Sequence, residues 1–204
     1  MATLFDLKRS ILDEMELHPS YSDDSYTQTF DRFHLAMMID LVNSSWSRIF
    51  GSRLFNGSYM AHAQSSKAID SRSEFVSAIM GLDDFLISLN IPISFPIDHG
   101  FAQLPLEQSA SIAMLKEASN LMFKSSGDFE LIDVLSNIHR VRNGMAHAGA
   151  VTKLKKGLEY FKVSLESVTS WGLVFDAMVN KLVLALVEFN TSLSSFSLPA
   201  AKND

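Results

Sequence analysis

Cysteine is missing from all 204 residues of the chain. That removes disulfides, thiolate nucleophiles and cysteine-held zinc, and it suits a reducing compartment, for which the cytoplasm is the expectation. Charge is also sparse: charged residues make up 20% against 47% hydrophobic, with a mean hydropathy of +0.12. Such a chain has apolar surface to hide, and a homodimer is the simplest way to hide it. Positive charge in excess is absent as well. The net charge of -6 argues against a nonspecific nucleic-acid coat. No long apolar run goes unbroken, because Asp176, Asn180 and Lys181 interrupt WGLVFDAMVNKLVLALVEF. That stretch is expected to be a core helix and not a membrane span. The amphipathic, acid-bearing MATLFDLKRSILDEMEL is no secretory signal. A glycine-rich phosphate loop, a His-Glu-x-x-His pair and a nucleophile elbow are all lacking, and the six histidines are scattered. Neither a metal nor a cofactor is expected.

What the chain does have is helical period. Leu4, Leu7, Ile11 and Met15 form one apolar stripe. Phe30, Phe33, Met37 and Leu41 open a second that runs on to Trp46 and Phe50 and stops near Gly51. Phe75, Ile79, Leu82, Leu86 and Leu89 form a third, with Ser73 as its cap, ending before Pro92. Ile112, Leu115 and Met122 mark a fourth, and a fifth starts at Phe129 behind Asp128. A long sixth carries Val168, Trp171, Phe175, Met178, Leu182, Leu186 and Phe189. Between them, residues 51–72 read as a loop, and NIPISFPIDHGFAQLPLEQ, with three prolines, reads as largely irregular. AVTKLKKGLEYFKVS, alternating about a Lys-Lys-Gly turn, reads as a β-hairpin over about 150–165. The expectation is one all-α domain over 1–204, a bundle of five to six helices with that small hairpin after the fifth and a disordered tail at 195–204.

The fifth helix ends unusually, in RVRNGMAHAG. With Leu131 at zero and about 100° per residue, Val134, Leu135, Ile138, Val141 and Met145 share an arc of roughly 120°, the buried face. Arg142 falls inside that arc, at about 20°. Asn143, His147 and Arg140 lie on the other side. A guanidinium among core positions needs an ionised or hydrogen-bonding partner. Asp83 or Asp84 from another helix, a dimer mate and a phosphate all fit. Arg140, Arg142, Lys153, Lys155, Lys156 and Lys162 stand against one acid, Glu159, between 140 and 162. This basic segment in an acidic protein can guide an anion, although KLKK is equally a solvated turn.

RNGMAH, Arg142 to His147, has the form Arg-x4-His with a polar residue after the arginine. It resembles the signature of the HEPN superfamily, whose members are bundles of four or five helices and include many metal-independent endoribonucleases. The RN...AHAG form is most similar to HEPN domains of bacterial toxin, abortive-infection and related defence genes. The resemblance implies that Arg142 and His147 are the catalytic pair, with Asn143 at the motif's polar position. A histidine of this kind can take the proton from the ribose 2′-hydroxyl, acting as base or acid near neutrality, and the arginine holds the scissile phosphate while charge builds on it. Attack by the ribose 2′-oxygen then leaves a 2′,3′-cyclic phosphate. Arg140, which fits a looser spacing, is expected to support the phosphate together with Lys153, Lys155 and Lys156. The implied setting is RNA cleavage in toxin–antitoxin or phage defence, by a homodimer with an antitoxin or neighbouring defence protein as partner. Gly149 departs from the toxins paired with a nucleotidyltransferase antitoxin, which carry tyrosine there, so control by modifying that tyrosine is not implied.

Arg142 and His147 lie about 140° apart on an ideal helix. They can share a phosphate only if His147 lies past the helix end, which Gly144 and Gly149 would permit, or if two copies share a cleft. Two other readings stay open: a catalytically inactive HEPN-like module binding RNA or nucleotide, and a helical interaction domain whose Arg142 is a buried structural ion pair. Elsewhere, Trp46 and Trp171 read as core, Asp83 and Asp84 as a poor acid–base dyad, His139 and His147 as no metal pair, and His99 to Phe101 as a loop able to stack on RNA.

Overall fold

The polypeptide, seen in a computed structural model, is described at residues 30, 32–56, 69–97, 100–104, 111–123, 129–147 and 149–196. Helix α1 (Arg32–Phe50) buries Leu35, Ile39, Val42 and Trp46. Of the stripe read from the sequence, Met37 and Trp46 are buried, Leu41 and Phe50 are half-buried and Phe33 is exposed, so the buried face is turned from the expected one. The helix stops where Gly51 turns into the left-handed region at φ +72°, a conformation that suits glycine alone. The segment that follows is fixed by buried Asn43. Its carboxamide accepts from the Phe55 N–H at 2.8 Å and donates to the Phe55 carbonyl at 3.3 Å. Phe55 then bridges to Leu89.

Helix α2 (Arg72–Ile87) is capped by Ser71, not Ser73. The reason lies three residues on: Glu74 bonds back to the Ser71 N–H at 2.9 Å while the Ser71 hydroxyl accepts from the Glu74 N–H at 3.2 Å. Ser73 has no acid at that spacing, so the reciprocal cap settles on Ser71. The proline-rich segment is not irregular throughout. Strands β1 (Ser94–Ile97) and β2 (Gly100–Gln103) pair antiparallel, with Pro96 opposite Phe101. A two-stranded ribbon has an outer edge on each strand, where a missing N–H is tolerated.

Helix α3 (Ser111–Phe123) precedes α4 (Glu130–Ala146), whose first turn lacks a side-chain cap. Asp128, the expected cap, lies outside the described residues. The β-hairpin expected over 150–165 is corrected outright: Val151–Tyr160 is a helix, α5. Leu154, Leu158 and Phe161 are buried at helical spacing, and Gly157 is a contact point and not a turn. A β-carbon on Gly157 would lie 2.7 Å from Val141 Cγ2, and one on Gly144 would lie 2.6 Å from the Leu154 nitrogen. Each helix therefore carries a glycine where the other helix comes closest. After a 3-10 turn (Leu165–Ser167), α6 (Trp171–Ser195) begins behind Ser170. The tail expected from 195 starts ordered: Ser195 is helical and the Phe196 ring lies 5.9 Å from that of Phe123. Residues 197–204 and the stripe from Leu4 to Met15 lie outside the described residues.

The described residues thus form a mostly helical bundle of six α-helices. Helix α4 is central, touching α2, α3, α5 and α6, while α6 also packs along α1 and α2. One apolar core joins all of them, with Trp46, Phe75, Phe175 and Phe189 fully buried. Each such aromatic contributes on the order of 2–3 kcal/mol by leaving water, enough to hold helices that would be marginal alone. Trp171, expected in the core, is half-buried, its ring 4.9 Å from Phe75. No described helix is long and apolar enough to cross a membrane.

Candidate functional site

On α4, Leu131, Val134, Leu135, Ile138 and Val141 are buried, as the wheel requires, and Met145 is half-buried. His139, Arg142 and Asn143 stand at spacings of three and four, so they form one strip along the flank of that face. The strip meets α2. Asp83, 1% exposed, lies with its carboxylate 3.0 Å and 3.2 Å from His139 Nδ1 and 3.7 Å from Arg142 Nε. Asp84, one residue on and exposed, reaches Arg142 Nη2 at 3.8 Å. The partner that a guanidinium on the buried arc demands is therefore this pair of aspartates, the carboxylates named from the sequence.

Asn143 closes the ring. Its Oδ1 accepts from Arg142 Nη1 at 3.0 Å, and its Nδ2 lies 2.9 Å from His139 Nε2. Arginine can only donate, so the oxygen of the carboxamide must face it and the NH₂ must face the imidazole. His139 Nε2 is then the acceptor. The hydrogen on Nδ1 then faces Asp83, and Nε2 turns its lone pair to the Asn143 NH₂. Asp83, His139, Asn143 and Arg142 make a closed cycle between two helices. Burial pushes the Asp83 carboxyl above its ordinary 3.8; the His139 hydrogen bond and the Arg142 charge oppose this, and the Asp84 charge adds to it.

Arg142 is 26% exposed and makes one hydrogen bond among the described residues, to Asn143. Its Nε is buried and has no hydrogen-bond partner. The ion pairs at 3.7 and 3.8 Å are too long to satisfy the N–H groups that face them. The guanidinium is held by charge and left largely unsatisfied as a donor.

His147 lies one residue past the end of α4, as a shared site requires, and it is exposed. Its backbone N–H donates to the Asn143 carbonyl at 3.3 Å and its carbonyl accepts from Ala150 at 3.1 Å. Its imidazole has no hydrogen bond or ion pair among the described residues. Gly149, at φ +102°, supplies the turn, whereas Gly144 is helical and serves packing. Arg140 is exposed on the far side of α4 and donates to Asn137. Lys153 and Lys156 are exposed on α5, and Lys155 pairs with Glu166. None of these four shares a hydrogen bond or ion pair with the Arg142 cycle. Because α2 meets α4 both at Asp83 and near Met145, a groove lined by Ser71, Arg72, Ser73, Val76 and Met145 opens beside the end of the motif helix. Among the described residues no group of three or more His, Asp or Glu side chains is placed to hold a metal ion.

His139 is the member of the cycle that sequence reasoning passed over. The signal was available: His139 stands three residues before Arg142 and four before Asn143, on the same flank of one helix. No family model matches the chain, and neither a curated protein nor a solved structure matches it.

Proposed function

We propose that the chain is a metal-independent endoribonuclease of the HEPN type, working as a homodimer in a toxin–antitoxin or phage-defence setting. The observation that carries this reading is the state of Arg142: oriented on three sides by Asp83, Asp84 and Asn143, a quarter exposed, and with Asn143 as its one hydrogen-bond partner among the described residues. A phosphodiester offers acceptors to the exposed part of the guanidinium, whose planar fork suits two of its oxygens. His147 stands at the same end of α4, exposed and without a competing partner, and can move protons for the reaction. Asn143 keeps the role of orienting Arg142. Arg140, Lys153 and Lys156, exposed around the end of the motif, draw RNA in by charge, and Lys155 contributes less because Glu166 occupies it.

The test is expression of the wild type beside His147→Ala in a bacterial host, followed by inspection of cellular RNA. It is paired with cleavage of an RNA oligonucleotide by the purified proteins in EDTA. The nuclease predicts fragments ending in 2′,3′-cyclic phosphate, lost in both Arg142→Ala and His147→Ala while folding survives. Identical RNA patterns for wild type and His147→Ala would overturn it.

One observation favours a second reading. Asp83 and Asp84 flank Arg142 and offset its charge. A helical interaction module with Arg142 as a structural ion pair accounts for that equally well. It predicts that Arg142→Ala loses stability while His147→Ala changes neither stability nor RNA.

A further inference from the structure

Cleavage of RNA without a metal moves two protons. As the 2′-oxygen bonds to phosphorus its proton must leave, and as the bond from phosphorus to the 5′-oxygen breaks that oxygen must gain one. Each protomer's copy of the motif supplies one histidine, His147, for these two transfers. Resting on the nuclease reading above, we infer that His139 is the second proton-transfer residue, taking the 2′-hydroxyl proton on Nε2, and that His147 returns one to the leaving 5′-oxygen.

Four observations carry this. The hydrogen-bond cycle leaves the Nε2 lone pair as the basic atom of His139, because Asn143 must turn its NH₂ toward it. Asp83 lies 3.0 Å from Nδ1, placed to hold that tautomer and to stabilise the imidazolium formed when Nε2 takes a proton. The side chain is 41% exposed, so substrate can reach it. A single carboxamide, that of Asn143, spans Arg142 and His139, which sets the base beside the group that holds the phosphate. On an ideal helix His139 is also about 60° from Arg142, against about 140° for His147. In the reaction the 2′-hydroxyl takes the place of the Asn143 NH₂ at Nε2, the 2′-oxygen attacks, and the cyclic phosphate forms as the 5′-hydroxyl departs with the proton from His147. The charged groups that face His139 are Asp83 and Asp84 from α2 and Arg142 from its own helix.

The experiment measures single-turnover cleavage of an RNA oligonucleotide in EDTA by wild type, His139→Gln, His139→Asn and His147→Ala. Glutamine keeps an acceptor for Asn143 and asparagine keeps a donor for Asp83, but neither can take up or release a proton near neutral pH. The expected result is a loss of about 100- to 10,000-fold in both His139 variants with little change in KM. If glutamine retains activity within about tenfold of wild type, His139 merely positions Asn143 and the inference fails. A substrate with sulfur in place of the bridging 5′-oxygen needs no proton on its leaving group. It should restore His147→Ala and not the His139 variants; restoration of the His139 variants instead would overturn the assignment. Should both His139 variants fail to fold, the pH–rate profile of His147→Ala on the sulfur-bridged substrate decides without any change at His139. Its rate must still rise from acid pH to a plateau as the base loses its proton, and a flat profile refutes the inference. Wild type that cleaves no RNA sinks the nuclease reading and this one together, whereas active wild type with active His139→Gln sinks this one alone.

Discussion

The carboxylate of Asp83 lies 3.0 Å from the Nδ1 of His139 while being 1% exposed, so a buried acid on one helix fixes the ring of a half-exposed base on another. The same carboxylate faces Arg142 Nε at 3.7 Å. Asp83 therefore determines the geometry of the whole cycle.

Replacing Asp83 by alanine leaves the Arg142 Nε buried without a countercharge. Breaking a fully buried pair costs about 3–5 kcal/mol; with Arg142 a quarter exposed, about 2–3 kcal/mol is expected. The measurement is the urea midpoint at unchanged slope. A shift under about 0.5 kcal/mol would show that the pair is not under tension.

The Asp83 carboxyl, raised chiefly by burial, binds its proton more tightly in the folded chain than in the unfolded one. Its contribution is therefore fully present below the ordinary value of 3.8 and is lost as pH rises through the higher folded value. Relative to Asp83→Asn, which mimics the protonated acid, wild type should lose stability as pH climbs from about 4. Denaturation of both proteins across that window checks the sign, and a relative gain by wild type would contradict it.

Tyr160 is pushed up to about 12, by burial first and then by the charges of Glu130 and Asp133. Its ring also lies under the Lys181 ammonium at 4.3 Å. One of the four tyrosines should resist phenolate formation past pH 10 in an absorbance titration, and Tyr160→Phe should remove that late step. Because the folded pKa is raised, stability should fall between about pH 10 and 12 as the unfolded chain gives up this proton first.

Glycines on α2 and α4 should respond in opposite directions to alanine. A β-carbon on Gly81 meets nothing within 4 Å, so Gly81→Ala should stabilise by about 0.5–1 kcal/mol through helix propensity. On Gly144 it would meet Leu154 backbone at 2.6 Å, so Gly144→Ala should destabilise by about 2 kcal/mol or more as α5 is forced away. Thermal unfolding of the two variants separates them.

Much of this bundle was legible from apolar spacing, because a buried stripe at helical period needs no knowledge of its partner. The stripes from Phe75 to Leu86 and from Phe175 to Phe189 show it, whereas on α1 the helix was legible but its buried face, Leu35 to Trp46, was not. The failures have two causes, one tertiary and one local. Gly157 reads as a turn in isolation and is a contact point only because Val141 comes within 2.7 Å of where a β-carbon would be. Ser71 outranks Ser73 through the reply of Glu74, a signal present in the sequence and overlooked. At the site, Arg142 and its aspartate partners could be inferred from the cost of burying a charge. His139 could not be inferred on those grounds, because an imidazole is tolerated on either face and its importance comes from a carboxylate 56 residues away.

The paired glycines of α4 and α5 also constrain how a ligand is received. Where two helix backbones touch at Gly144 and again at Gly157, neither can slide or pivot without collision. The corner between them is thus clamped on both sides, and His147 sits on it with its backbone tied to Asn143 and Ala150. Its backbone is a fixed post from which the exposed imidazole projects, so adaptation at this corner is left to that side chain and to whatever meets it.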